Sequence, residues 1–252
     1  MLDLERLPGK FTRYIWHPTD AKRWSYIPPE EWDRLPSTLC GSWSWLGEKR
    51  VGFVAAWENP DDEYHVGRKF RDLLDEATHV VTYNGNRADL LWIHGDVEQG
   101  HMPAPRPYRS VDLFKLNSQF AFERRSLRHL LDRLDLPNKS GHYDPAEAER
   151  ANDGDAKAQA SLKKYNVQDT RVLADLFRRV QHRIKGLNLG LYYADADPDT
   201  RRCPACGSTD LKLDDQWAYT SLTAYAMSVC QSCGAASRSK HRKNAVDQRL
   251  VT

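Results

Sequence analysis

Tyr165 and Asp169 sit on a stripe that otherwise reads as apolar. In LKKYNVQDTRVLADLFRRVQHRI, residues 162–184, apolar side chains recur at Leu162, Val172, Leu173, Leu176, Phe177, Val180 and Ile184, the three-and-four spacing of an amphipathic helix. Four residues at roughly 100° per step leave Tyr165 and Asp169 about 40° apart and one turn along, so they face the same space. A carboxylate turned toward a protein interior is costly unless a metal ion or a cationic group pairs with it.

Two other places offer carboxylates for such a site. In LDLERLPG, residues 2–9, Asp3 and Glu5 project to one side of any extended segment, which Pro8 and Gly9 then end. With 35 acidic residues in the chain, Asp-x-Glu also arises by chance, and a solvated N-terminus is the bland alternative. In THVVTYNGNRADLL, residues 78–91, a β-rich run ends at Tyr83, Asn84-Gly85 makes a turn and a helical pattern starts near Arg87. Asp89 thus sits in the first turn of a helix at a strand end. It either complements the helix dipole or faces the strand ends where α/β folds gather ligands. Asn84, in the same turn, is a candidate for substrate contact.

Other acids have simpler readings. Asp61, Asp62 and Glu63 precede a helical pattern at Val66, Phe70, Leu73 and Leu74, so capping explains them. Asp112, at the end of the short strand SVDLFK (110–115), reads as a turn or cap residue. Lys139 and His142, in a polar, loop-like stretch from Asn138 to Asp155, could approach a phosphate, although a solvated loop is the default.

Cysteine supplies the other chemistry. Cys203-Pro-Ala-Cys206 and Cys230-Gln-Ser-Cys233 are two Cys-x-x-Cys knuckles separated by 23 residues. Four thiolates at that spacing suit one tetrahedral, structural Zn²⁺, with Gly207 and Gly234 supplying tight turns after each pair. Cys40, alone in a strand, reads as a small buried hydrophobe. Around the knuckles lie Arg201, Arg202, Arg238, Lys240, Arg242 and Lys243. Arg238, Lys240 and Arg242 are the candidates for phosphate contact. The net charge of +2 therefore hides an asymmetry: residues 200–252 carry 8 basic against 4 acidic side chains.

The elements that must position these groups follow from pattern. Residues 38–46 and 50–58 read as two strands joined around Gly47, and Ser126–Leu136 as an amphipathic helix stopped by Pro137. Trp43, Trp45 and Trp57 read as sheet packing. Trp16, Trp24 and Trp32 lie in a proline-punctuated stretch where base stacking is possible, with packing favoured. At 252 residues, 40 % hydrophobic and 29 % charged, the chain can hold one full-sized domain plus a small module. No apolar run is long enough to span a bilayer and Met1 opens onto Leu-Asp-Leu-Glu, so a cytoplasmic protein is expected.

Taken in order, Asp3-x-Glu5 at a strand, Asp89 within YNGNRAD and Tyr165-x-x-x-Asp169 on a helix resemble the DEDD superfamily of 3′-to-5′ exonucleases. That group has the ribonuclease H-like fold of polymerase proofreading domains and ribonuclease D. The tyrosine resembles the tyrosine-bearing branch; the histidine branch would want His where Lys164 stands. The whole chain is similar to short phage-encoded or bacterial nucleases with a C-terminal zinc ribbon. Two departures stand out: only Met1 and Leu2 precede Asp3, where several apolar residues are usual, and Ala88 stands where an aromatic usually precedes the second-motif aspartate.

The resemblance implies an α/β fold: a mixed sheet flanked by helices over residues 1–195, a zinc ribbon over 200–240 and a basic, disordered tail over 241–252. It implies that Asp3, Glu5 and Asp169 bind one Mg²⁺ or Mn²⁺, that Asp3 and Asp89 serve a second, and that Tyr165 orients the attacking water. Such ions neutralise a scissile phosphate, activate water and stabilise the departing oxygen. The function implied is 3′-to-5′ hydrolysis of single-stranded DNA or RNA, DNA favoured, releasing nucleoside monophosphates in the cytoplasm of a bacterial or phage-infected cell. The alternatives are an endonuclease or RNA-processing nuclease of the same fold, and a non-catalytic nucleic-acid-binding protein.

Overall fold

The computed structural model describes residues 1–10, 30, 32–138, 141, 143–193, 199–220 and 223–242, apart from the side chains of 193, 240 and 241. Trp16, Trp24, Lys139, His142 and Lys243 lie outside the described residues. The chain divides into two compact units, Met1–Asp175 and Leu176–Thr252.

In the first unit, β1 (Leu2–Leu7), β2 (Ser37–Trp43) and β3 (Gly52–Ala55) form an antiparallel sheet in that order. β4 (His79–Thr82) and β5 (Arg109–Asp112) pair in parallel, and β1 lies beside β4. Helices α1 (His65–Glu76), α2 (Asp89–Gln99), α3 (Leu127–Arg133), α4 (Pro145–Asn152) and α5 (Ala156–Val180) complete the set, α5 running on into the second unit. This is the mixed α/β, ribonuclease H-like arrangement expected.

Period-two alternation sorts the side chains of β1. Leu2 and Leu4 join Val66, Phe70, Leu73 and Leu74 of α1 and Leu90, Ile93 and Val97 of α2 in one apolar cluster. Leu7 joins Leu39, Cys40, Ala148 and Ala151 of α4, and Ala158 and Leu162 of α5, in another. The odd positions Asp3 and Glu5 thereby belong to the α5 side of the sheet. β2, covered on both faces, is buried continuously from Thr38 to Ser42. It carries one extra residue, Leu39, between the pairs Glu5–Cys40 and Arg6–Thr38. A side chain at Gly41 would strike Leu4 and Phe70, so the close approach there requires glycine.

Local chemistry moved several expected boundaries. The strand expected over 50–58 stops at Ala55, because the Glu58 carboxylate accepts from the Ala55 amide (3.0 Å) and winds Ala56–Glu58 into a 3-10 turn. SVDLFK stops at Asp112, whose carboxylate accepts from Phe114 N (3.1 Å) and starts a 3-10 helix over Leu113–Gln119. The stretch read as loop from 138 to 155 contains α4. Asp144 caps it by accepting from Ala146 N (3.0 Å), Pro145 opens it, and the buried face is only Ala148 and Ala151. α5 starts six residues before Leu162, where Asp155 accepts from the amides of Lys157 (2.8 Å) and Ala158 (3.3 Å). Trp32 packs against Gly9, whose missing side chain makes room for its ring.

In the second unit, β6 (Leu211–Tyr219), β7 (Ala224–Cys230) and β8 (Ala236–Arg242) form an antiparallel sheet. β8 reaches Arg242, two residues into the stretch expected as tail; 243–252 lie outside the described residues. The 3-10 segment Leu189–Tyr193 is held to the first knuckle by Leu189 N donating to Pro204 O (2.7 Å).

Candidate active site

β1 and α5 bring Asp3, Glu5 and Asp169 together. One carboxylate oxygen from each lies within 4.8 Å of the others, with Asp169 buried and the other two half-buried. Asp3 pairs across the sheet with Ser42, and residues directly opposite in an antiparallel pair share a face. The buried Ser42 hydroxyl donates to the Asn166 carbonyl (2.9 Å) and bonds the Thr170 hydroxyl (2.7 Å), which fixes α5 against the sheet. The buried Asn166 side chain then donates from Nδ2 to Asp3 Oδ2 at 2.8 Å. One amide thus orients the first carboxylate, while Asp169, three residues on, comes from the same helix. Ser42, Asn166 and Thr170 were missed in the sequence. The available signal was an asparagine and a threonine on the buried side of a helix interior, where both are poor helix formers.

Asp89 is not one of the three that converge. It is buried as the first residue of α2, and its Oδ1 accepts from Leu4 N (3.1 Å), between Asp3 and Glu5 on β1. Burial pushes its carboxyl up to about 6, against the pull of its own amide and that of Leu4, and nearby Asp112 adds to the rise. Asp112 behaves as a cap: it also accepts from the amides of Asn84 (2.7 Å) and Asn86 (3.3 Å). Asn84 occupies the left-handed region (φ 65°), the turn that lets the chain leave β4 toward α2.

Tyr165 is half-buried and packs with Tyr143 against the cluster containing Leu7, Cys40 and Leu162. The Tyr143 hydroxyl donates to the Arg6 carbonyl, tying the segment before α4 to β1 just past Glu5. Burial, followed by the Glu5 charge, pushes that phenol up to about 12. Cys40 is buried opposite Glu5, and burial together with the charges of Glu5, Asp3 and Glu58 raises its thiol well above the usual range. It remains a neutral thiol, as a small buried hydrophobe should.

Hard carboxylate oxygens gathered this closely fit Mg²⁺ or Mn²⁺, since like charges on one spot need a cation between them. The four cysteines fit a different ion. Their sulfurs all lie within 4.8 Å, with Cys203–Cys233 at 3.6 Å and Cys206–Cys230 at 3.7 Å. Those separations are too long for disulfides and match the ~3.8 Å edge of a tetrahedron with ~2.3 Å Zn–S bonds. Gly207 (φ 77°) and Gly234 (φ 73°) make the turns, donating to the carbonyls of Cys203 (2.8 Å) and Cys230 (2.9 Å). Against the effect of burial, the amides of Cys233 and Ser232 and the thiols of Cys206 and Cys203 draw Cys230 down to about 7, whereas burial and the neighbouring thiols push Cys233 up. Four sulfurs gathered this closely suit one shared cation, and the arrangement is compatible with a zinc ribbon.

On the β6–β8 sheet, the Arg238 guanidinium lies over the Tyr225 ring at 4.7 Å, and Arg242 pairs across the strand with Tyr225. Lys240 lies within β8. Among the described residues, no helix is long and apolar enough to cross a membrane.

Comparison with known proteins gives a family. Among curated proteins none matches the chain at a significant level. Among solved structures, it is similar to the family B DNA polymerase of the hyperthermophilic archaeon Pyrobaculum calidifontis, at 15 % identity and a TM-score of 0.49, over 89 % of this chain and 31 % of that one. This chain thus spans about a third of the polymerase. The family model of the RNase_H superfamily matches residues 32–181, more than half of the sequence, including Asp89 and Asp169 but not Asp3, Glu5 or the four cysteines. The chain belongs to the RNase_H superfamily.

Proposed function

We propose that the protein is a two-metal-ion-dependent 3′-to-5′ exonuclease that hydrolyses single-stranded nucleic acid, DNA in preference to RNA, and releases nucleoside monophosphates. The observation that carries this reading is the meeting of Asp3, Glu5 and Asp169 within 4.8 Å. Superfamily membership supports a nuclease more generally. Asp3, Glu5 and Asp169 would hold one Mg²⁺ or Mn²⁺, and Asp3 with Asp89 would serve a second; the ions supply charge neutralisation at the phosphate and an activated water. Asn166 keeps one Asp3 oxygen occupied, which orients the other. Tyr165, one turn before Asp169, aims the water, and Asn84 contacts the substrate near the strand end.

The four cysteines hold a structural Zn²⁺, and Arg238, Lys240 and Arg242 on the ribbon engage phosphates. A bacterial or phage-infected cytoplasm is the setting proposed. The test is a panel of 3′- and 5′-labelled single strands of DNA and RNA with Mg²⁺ or Mn²⁺. Stepwise shortening from the 3′ end supports the proposal, internal cuts would make the chain an endonuclease, and binding without cleavage would refute catalysis. Asp169→Asn should abolish hydrolysis; full activity in that variant would overturn the metal site.

A further inference from the structure

The segment from Phe120 to Arg133 presents a surface outside the acidic cluster. Phe120 and Phe122 stack with ring centroids 5.0 Å apart and planes 12° from parallel, and both are half-buried. The Arg133 guanidinium, from α3, lies over Phe122 at 5.3 Å. Arg124 and Arg125 are exposed beside the rings, and the acid between them and Phe122, Glu123, is held by His129 at 2.9 Å. Phenylalanines usually bury themselves. Here two sit in an irregular stretch, partly open to solvent, with cations on the same segment. A flat π-face next to positive charge suits a flat, anionic ligand, and an unpaired base with its phosphate is both.

The segment is tied to the end of the parallel strands. Just after β4, the Tyr83 hydroxyl donates to the Arg125 carbonyl at 2.6 Å and accepts from Asn117 Nδ2 at 3.0 Å. Tyr83 leads into the Asn84 turn and Asp89, whose carboxylate bonds β1 between Asp3 and Glu5. One strand end therefore anchors both the aromatic segment and the buried acid beside the cluster. We propose that the stacked pair Phe120–Phe122, backed by Arg133, takes a base of an unpaired nucleic-acid strand against its outer face, with the strand's phosphates meeting Arg124 and Arg125. The ligand class rests on the nuclease reading; binding itself does not require cleavage.

The test measures binding without divalent ions, by fluorescence anisotropy. The probes are a short oligothymidylate and an abasic oligomer of equal length and phosphate count. The wild type should prefer the base-bearing strand by roughly 5- to 150-fold. Phe120→Leu/Phe122→Leu, which keeps apolar bulk, should lower that preference at least fivefold and leave affinity for the abasic strand unchanged. Arg124→Gln/Arg125→Gln should weaken both probes alike and reduce the salt slope by about 1.4. An unchanged base preference in the leucine variant would overturn the proposal, as would polyglutamate competing as well as oligothymidylate. A wild type that cleaves no strand but loses its base preference in the leucine variant would refute the nuclease reading and support this subsite.

Discussion

Replacing Asp89 by asparagine should stabilise the protein when Mg²⁺ and Mn²⁺ are absent. Asparagine keeps an oxygen to accept from Leu4 N (3.1 Å in the native chain) but removes the charge that burial opposes. The native carboxyl is pushed up to about 6 from 3.8. A folded-state value above the unfolded one means that the native state binds the extra proton, so the acid costs nothing below about pH 4. Its penalty grows as pH rises through 4 to 6 and is complete above about pH 6. At 1.36 kcal/mol per pKa unit the full penalty is about 3 kcal/mol. Protein dialysed free of Mg²⁺ and Mn²⁺, without chelator so that the cysteine centre is untouched, would be unfolded in urea from pH 4 to 8. The wild type should lose about 3 kcal/mol relative to Asp89→Asn between pH 4 and 7; groups that do not interact with Asp89 cancel in the difference, and Asp112, which does, belongs to the same effect. A variant equal to or weaker than wild type at pH 7.5, or two parallel pH profiles, would refute the claim that Asp89 is a buried acid awaiting a cation.

Other substitutions test other parts of the structure. Asn166→Ala frees Asp3 Oδ2 and should weaken Mn²⁺ binding about 10-fold or more by calorimetry, with secondary structure intact. Tyr165→Phe should slow turnover roughly 10- to 100-fold while Mn²⁺ affinity stays within about twofold, as expected of a group that aims water rather than binds the ion. Gly41→Ala places a methyl 2.3 Å from Leu4 Cδ2 and 2.5 Å from Phe70 Cε2. It should cost about 1–3 kcal/mol in urea unfolding. Cys233→Ser should abolish retention of one zinc per chain in metal analysis and make β6–β8 susceptible to proteolysis.

The candidate chemical groups were more legible in the sequence than the groups that hold them. Strand and helix periods put Asp3 with Glu5, and Tyr165 with Asp169, on defined faces; the resemblance to the DEDD group joined the two sets, and the knuckle spacing located the four cysteines. Asp89 could be placed at a strand-to-helix turn, but its bond to Leu4 spans 85 residues and has no local signal. Ser42, Asn166 and Thr170 escaped for the same reason: a small polar residue in a buried element looks like a tolerated defect until its partner 124 or 128 positions away is known. α4 escaped because two alanines make a weak stripe, although Asp144-Pro145 announced its start. The Phe120–Phe122 stack depends on a rotamer pair, which no spacing rule reveals.

The bond from Asn166 to Asp3 joins positions 163 apart, and Ser42, on β2, holds the same asparagine from 124 positions away. Neither β1 nor α5 holds the cluster alone, so a polypeptide that stops short of Asp169 cannot gather the three carboxylates. The three carboxylates therefore meet only once nearly the whole of the first unit, Met1–Asp175, has been made.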